Sequence, residues 1–461
     1  MNVMSAETVW QTEAPQRDDA VHEMPPLRRA VPLAVQHFLA MFVGNAAPPL
    51  IVATAIGMAA GEVTLLVQLA MIVSGATTLL QTLGVGPVGS RLPVMQGTSF
   101  AFLVVAIPIA EQFGIAAVFG GAFIAGLVQV VFGMSLRWLT PLFPPLVCGI
   151  IILIIGLKLM PTAIDYSAGG AAARAAGDFG ALHHFGVAAL VIVVSVVCHQ
   201  FGRGLVSVAA VLIGLLSGYA AAAVFGMVSL APVTEARWLF APAPMHFGLD
   251  FTGAAIIAIT VLALASSVES IGDLTAVART GLGRSPRARE LSGGVMADGV
   301  GTSLGAVLGA MPNTTFSQNT GIIALSGVVS RYVVALAGGL LVLAGFVPKV
   351  AAVFNTVPYA VLGGSVLVMF SMVASAGIQV MAPEMIDRRS LLIVALSLGL
   401  GVGLSFAPEE AVAAFPADVA LLLTSGIVPA MLAAVILNAV LPGRRQRRSA
   451  DHDDQSSQAP A

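Results

Sequence analysis

Phe316-Ser317-Gln318-Asn319-Thr320-Gly321 sets two amide side chains between apolar runs. An unsatisfied polar group at bilayer depth costs several kcal/mol, so side chains of this kind imply something for them to bind. About fifty residues earlier, Glu269 sits inside Val261-Leu262-Ala263-Leu264-Ala265-Ser266-Ser267-Val268, before Ser270-Ile271-Gly272-Asp273. Amides and a carboxyl group in otherwise apolar segments point to a polar pocket buried in a membrane.

The composition agrees. With 57% hydrophobic and 10% charged residues and a mean hydropathy of +0.95, the 461-residue chain carries too little polar surface for a water-soluble domain. The class is all-α polytopic membrane protein. Residues 1–30 hold Glu13, Asp18, Asp19 and Glu23 and no apolar core segment, so they read as a solvated tail and not a signal peptide. Residues 443–461 form a second polar tail.

Apolar runs long enough for a bilayer core fall near 33–57, 63–83, 93–110, 115–134, 142–160, 186–200, 205–228, 253–272, 291–310, 314–329, 331–348, 357–378, 390–406 and 418–440. Fourteen spans place both tails on one side. Of the 21 lysines and arginines, only Lys158, Arg174, Arg237 and Lys349 then fall on the opposite face, so the tails are expected in the cytoplasm. The basic run Arg444-Arg445-Gln446-Arg447-Arg448 suits lipid headgroups. A net charge of −2 gives no reason to expect a nucleic-acid partner. Cys148 and Cys198 read as small hydrophobes in or beside spans.

Helix breakers recur at matched places. Pro93 opens the third span and Pro312 the tenth, 219 residues apart; Pro145 and Pro358 stand in the fifth and twelfth, 213 apart. A repeat of seven spans must insert its second copy upside down, which gives an inverted repeat. The expected division is 31–228 for spans 1–7 and 229–442 for spans 8–14. Non-helical backbone at this depth is tolerated where it lines a cavity, so short extended pieces are expected in spans 3 and 10, the latter at Thr314-Thr315-Phe316. Ordinary proline kinks in packed helices are the plain alternative.

Gln318-Asn319-Thr320-Gly321, followed by Ser326-Gly327, resembles the signature of the nucleobase-ascorbate transporters, or nucleobase:cation symporter family 2. That pattern is Gln, Glu or Pro, then Asn, any residue, Gly, four of any kind, Thr, and Arg, Lys or Gly. Gln36-His37, Gln96-Gly97-Thr98-Ser99-Phe100, Ser270-Ile271-Gly272-Asp273, Ala297-Asp298-Gly299 and Ser405-Phe406-Ala407-Pro408-Glu409 extend the likeness over residues 30–442. Ser326 departs from the usual Thr but keeps a hydroxyl. Gly327 resembles the bacterial xanthine and urate carriers more than the uracil carriers. The resemblance implies fourteen spans in a core and a gate domain, and a homodimer.

It also implies roles. Gln318 can read the N–H and C=O edge of an oxopurine through two parallel bonds. Glu269 can accept ring N–H groups and hold a coupling proton, because a carboxyl in an apolar span is cheaper neutral than charged. Phe100 can stack on a flat base, with Ser99 and Thr98 as hydrogen-bonders. Asn319 binds the substrate too, and supports Gln318 and the broken span. Asp273 and Asp298 either support the site and proton coupling or only tie helices together. His37 is a proton relay or a structural histidine. Ser326 and Gly327 bear on specificity. His183, His184 and His246 lie in external loops without metal-ligand spacing, and neither metal nor cofactor is expected.

These readings converge on a symporter of the inner membrane that imports urate or xanthine with protons by alternating access; the motifs leave sodium open. A uracil permease and an anion carrier of sulfate-permease architecture are the alternatives. An enzyme is not expected: Ser317, Glu269 and His37 lack any catalytic spacing, and no Gly-x-x-x-x-Gly-Lys-Ser/Thr loop for ATP occurs.

Overall fold

The structure, a computed structural model, describes residues 19–139, 144–239, 243–316, 319, 322–323, 326–382 and 387–441. Helices dominate because the apolar runs leave no other way to satisfy backbone groups inside a bilayer. α1 (Leu27–Ala55) and α2 (Ala60–Leu83) lead into a short strand β1 (Gln96–Thr98). After it come α3 (Leu103–Phe113), α4 (Ile115–Met134), α5 (Pro145–Ser167), the small α6 (Gly170–Ala176), α7 (Leu182–Phe201) and α8 (Ala210–Val224). The second half runs through α9 (Ala231–Glu235), α10 (Gly253–Leu282) and α11 (Ala288–Leu308) to β2 (Asn313–Thr315). It continues through α12 (Arg331–Gly345), α13 (Pro348–Phe354), α14 (Tyr359–Met381), α15 (Arg388–Ser405), α16 (Ala417–Thr424) and α17 (Ile427–Val440).

Nine helices among the described residues are long and apolar enough to cross a membrane, or ten if α12 and α13, bent by 88° at Val347, form one span. The chain is a multi-pass membrane protein. Other apolar helices are shorter: α8, α12 and α17 have 15, 15 and 14 residues.

Three helix pairs cross at glycines that let backbones touch, as tight membrane packing requires. A Cβ on Gly126 of α4 would stand 2.5 Å from the Gly299 carbonyl of α11. One on Gly75 of α2 would stand 2.5 Å from the Gly338 carbonyl of α12, and one on Gly149 of α5 would stand 2.6 Å from that of Gly377 in α14.

The two breaks meet. β1 pairs antiparallel with β2, with Gln96 opposite Thr315, Gly97 opposite Thr314 and Thr98 opposite Asn313. Two strands alone leave edge groups without partners, and helix side chains supply them. Thr78 Oγ1 accepts from the Gln96 N–H at 2.9 Å and lies 3.3 Å from its carbonyl; Thr302 Oγ1 treats Asn313 the same way at 3.1 and 3.4 Å. Gly97 has no alternative, since a Cβ there would lie 2.5 Å from the Phe316 ring.

Side contacts fix the direction of travel. α1 runs from Leu27 to Thr54, whose hydroxyl is 2.9 Å from that of Tyr166 at the far end of α5. Tyr166 packs edge-on against Tyr359, so α14 starts on that face and returns. Arg389, at the start of α15, then donates to the carbonyls of Asn438 and Leu441. The described ends of the chain therefore share a face.

The N-terminal segment corrects one expectation. Residues 19–23 are not merely solvated: Val21 is 3% exposed among Leu92, Leu274, Leu282 and Val329, and Ser330 Oγ donates to the Glu23 carbonyl at 2.6 Å. α1 itself begins at Leu27, ahead of the apolar run expected from 33. The C-terminal tail lies outside the described residues.

Candidate functional site

The strand pair floors a cavity of about 260 Å³. Thr98, Ser99, Phe100 and Ala101 reach it from the first break, Thr314, Thr315 and Phe316 from the second, and Glu269 from α10. The opposite wall comes from α5 and α14, with Ile152, Ile155, Met372, Val373, Ala376 and Gln379. A cleft of about 700 Å³ between the start of α2, α9 and the start of α13 is larger, but its Glu62, Glu235, Arg237 and His246 lie outside the lining that the broken spans share.

Four of the expected residues, Glu269, Phe100, Ser99 and Thr98, thus share one cavity. Glu269 is half-buried, and no described residue hydrogen-bonds its carboxylate. Ser99 caps the turn of Phe100–Phe102 by accepting from the Ala101 N–H at 3.3 Å, so the positive end of the α3 half-helix faces the cavity. Phe100 is 8% exposed and meets Phe370 edge-on, 5.6 Å between centroids. Gln318 lies outside the described residues.

The remaining expected residues stand behind this lining. Asp298 is fully buried, and its Oδ1 accepts from Gln96 Nε2 at 2.7 Å, which holds the start of β1. Asp273 Oδ2 accepts from Thr315 Oγ1 at 2.6 Å and so holds the end of β2. Asn319 Nδ2 donates to both the carbonyl and the Nδ1 of His37, each at 3.0 Å. The carbonyl accepts only a donor, which orients the amide; Nδ1 must then accept too, and the neutral imidazole carries its proton on Nε2. Ser326 Oγ accepts from the Val328 N–H at 3.2 Å, and Gly327 has φ +64° in the same turn.

Two residues were missed. Asn45 in α1 is fully buried, and its Oδ1 accepts from Ser74 Oγ at 2.7 Å and from the Thr98 N–H at 2.8 Å, tying two helices to β1. An amide in an apolar span next to Pro48-Pro49 was the available signal. Gln379 follows Met372 and Ala376 at helical spacing, so the apolar stripe that meets the cavity ends in an amide.

With this geometry in view, the likeness to known proteins can be placed. The profile of the Permease family, Xan_ur_permease, matches residues 28–410. Xanthine permease XanQ of Escherichia coli strain K12 is 36% identical over 437 residues, which are 92% of this chain and 93% of that protein. Uric acid permease PucJ of Bacillus subtilis strain 168 is 36% identical over 410 residues, 88% of this chain and 91% of that one. Among solved structures, the transmembrane domain of a cyanobacterium bicarbonate transporter, BicA, aligns with a TM-score of 0.57 at 15% identity, covering 89% of this chain and 98% of that domain. That last likeness speaks for the fold alone. By the reach of the family match and the identity to both permeases, this chain belongs to the Permease family and is a membrane transporter, not an enzyme.

Proposed function

We propose that the protein imports an oxopurine nucleobase, urate or xanthine, across the inner membrane together with protons. The observation that carries this reading is a carboxylate without a described partner, Glu269, facing a small cavity where both broken spans meet. Its volume is just below the roughly 300–1,000 Å³ of pockets for drug-sized ligands and so suits a smaller, flat molecule. Glu269 accepts ring N–H groups, the Gln318 amide takes the neighbouring donor–acceptor edge, and the half-helix end at Ser99 meets a carbonyl oxygen. Phe100 bounds the plane of the base. The relatives named for xanthine and uric acid support this substrate class.

Proton carriage falls to Glu269, with Asp298 holding the strand beneath it through Gln96. Asp273 supports β2, and His37 anchors Asn319 and hence the second half-helix. Thr98 joins the lining while its hydroxyl donates to Asn45 Oδ1 at 3.1 Å, and Ser326 and Gly327 act on specificity only through the turn they form. Transport proceeds by alternating access as the α5–α14 wall moves against the strand-bearing core.

We also read the chain as fourteen spans in two inverted repeats, 31–228 and 229–442, assembled as a homodimer with both tails in the cytoplasm. The equivalent grips of Thr78 on Gln96 and Thr302 on Asn313 support the repeat, as do the glycine crossings of α2 with α12 and α11 with α4. An anion carrier, the activity named for a bicarbonate transporter of this fold, is the second reading. Against it, the described residues of the cavity lining include a carboxylate and no lysine or arginine.

Uptake of labelled xanthine, urate and uracil by cells lacking their own carriers, with and without a protonophore, tests the proposal. Saturable, protonophore-sensitive uptake of one oxopurine is expected; uracil uptake moves the specificity, and sulfate or bicarbonate flux without base uptake sinks it. A finer test concerns the far wall. Gln379→Ala removes a neutral hydrogen bond worth about 0.5–1.5 kcal/mol, so the half-saturating concentration rises up to about tenfold. A competition panel of purine analogues in which Gln379→Ala ranks every compound as the parent does would remove Gln379 from the site.

A further inference from the structure

Away from the transport pathway, the turn between α6 and α7 gathers Asp178, His183 and His184 so that one ligand atom of each lies within 4.8 Å of the others. Asp178 Oδ2 is 3.1 Å from Nε2 of His184 and 3.4 Å from Nε2 of His183. A single histidine would suffice to staple this turn; two imidazoles converge on one oxygen.

The rest of the carboxylate carries the argument further. The Asp178 side chain is 42% exposed, yet its Oδ1 atom is buried and no described residue donates to it. An anionic oxygen shielded from water and without a donor is unfavourable, and a bound cation relieves it. The two oxygen–nitrogen distances, 3.1 and 3.4 Å, lie near the roughly 3.3–3.6 Å that separates the ligands of four-coordinate zinc bound at about 2.0–2.2 Å.

The backbone pre-forms this arrangement. Asp178 N–H donates to the Ala173 carbonyl at 3.1 Å, Gly180 N–H donates to that of Ala168 at 2.9 Å, and Gly180 takes φ +82° to close the loop. The His184 ring lies over Gly169, where a Cβ would stand 2.9 Å from its Cδ2. The positive end of α7 opposes a cation here, and the Asp178 charge offsets it.

We propose that Asp178, His183 and His184 bind a divalent transition metal of the Zn²⁺ type, with water completing its shell. Two nitrogen donors of three select Zn²⁺, Cu²⁺ or Ni²⁺ over Mg²⁺ and Ca²⁺, which require oxygen shells. The site lies on the face opposite the described chain ends, against the end of α5 that carries Tyr166.

Titration calorimetry of the purified, tag-free transporter with ZnCl₂ tests this, with MgCl₂ as the comparison. One Zn²⁺ per chain is expected for the parent, no heat from Mg²⁺, and affinity lowered in both Asp178→Asn and His183→Ala. The loss should reach at least the roughly 10–100-fold seen when only an outer-shell partner is removed. Both variants should elute as the parent does in size exclusion, since His183 is 43% exposed. No Zn²⁺ binding by the parent, or binding that survives the double substitution in a monodisperse protein, overturns the site.

Discussion

Glu269→Gln is expected to abolish concentrative uptake while leaving the protein folded. The change preserves size, and no described residue hydrogen-bonds the carboxylate, so no bond among the described residues is lost with its charge. What disappears is the ability to carry a proton and to form charge-assisted bonds to ring N–H groups. Bonds of that class contribute about 1.5–3 kcal/mol, so base affinity should fall about tenfold to a hundredfold. Accumulation should drop to the level of protonophore-treated parent cells, with thermal unfolding of the purified variant unchanged. Uphill accumulation by Glu269→Gln equal to the parent's would place proton coupling elsewhere.

The second large effect concerns folding. Gly75→Val would drive a branched side chain into the Gly338 carbonyl, 2.5 Å from the new Cβ, and into the Val342 backbone nitrogen at 2.7 Å. Backbone cannot move aside as a flexible side chain does, so α2 and α12 must separate, at a cost of about 1–3 kcal/mol or more. Gly339→Val is the control: it adjoins Gly338 in the same helix, and nothing lies within 4 Å of its added Cβ. Size-exclusion profiles and unfolding midpoints of detergent-solubilised protein should separate the two, with Gly75→Val aggregated or melting well below the parent and Gly339→Val close to it. Equal behaviour would mean that the crossing tolerates a wider gap than the structure draws.

Much of the fold was legible because a bilayer restricts the options: long apolar runs become helices, and the proline-bounded polar runs at Pro93 and Pro312 become breaks. Glu269, Ser99 and Phe100 were legible as cavity residues because their types are out of place in spans, or because they fall in a recognisable motif. The partners were not. Gln96 finds Asp298 across 202 residues and Asn319 finds His37 across 282, and hydropathy says nothing about which polar group meets which. Gln379 was hidden by its place near the end of a span, where an amide looks like ordinary interfacial polarity. Asn45 was passed over because nothing local marks a lone amide as a tie, whereas its Oδ1 serves α2 and β1 at once. The histidine pair at 183 and 184 carried no pattern until the turn brought Asp178 to it.

The strand pair also limits how relatives of this chain can change length. Because side chains alternate along a strand, one inserted residue between Thr78 and Gln96 would move Gly97 out of the slot beneath Phe316 and bring a side chain into it. The same slip would carry Gln96 away from Asp298 and the Ser99 cap away from the cavity mouth. Insertions should therefore gather in the outer loops, while the distances from Thr78 to Gln96 and from Thr302 to Asn313 stay constant across the lineage, a constancy of spacing that outlasts the identity of the residues between.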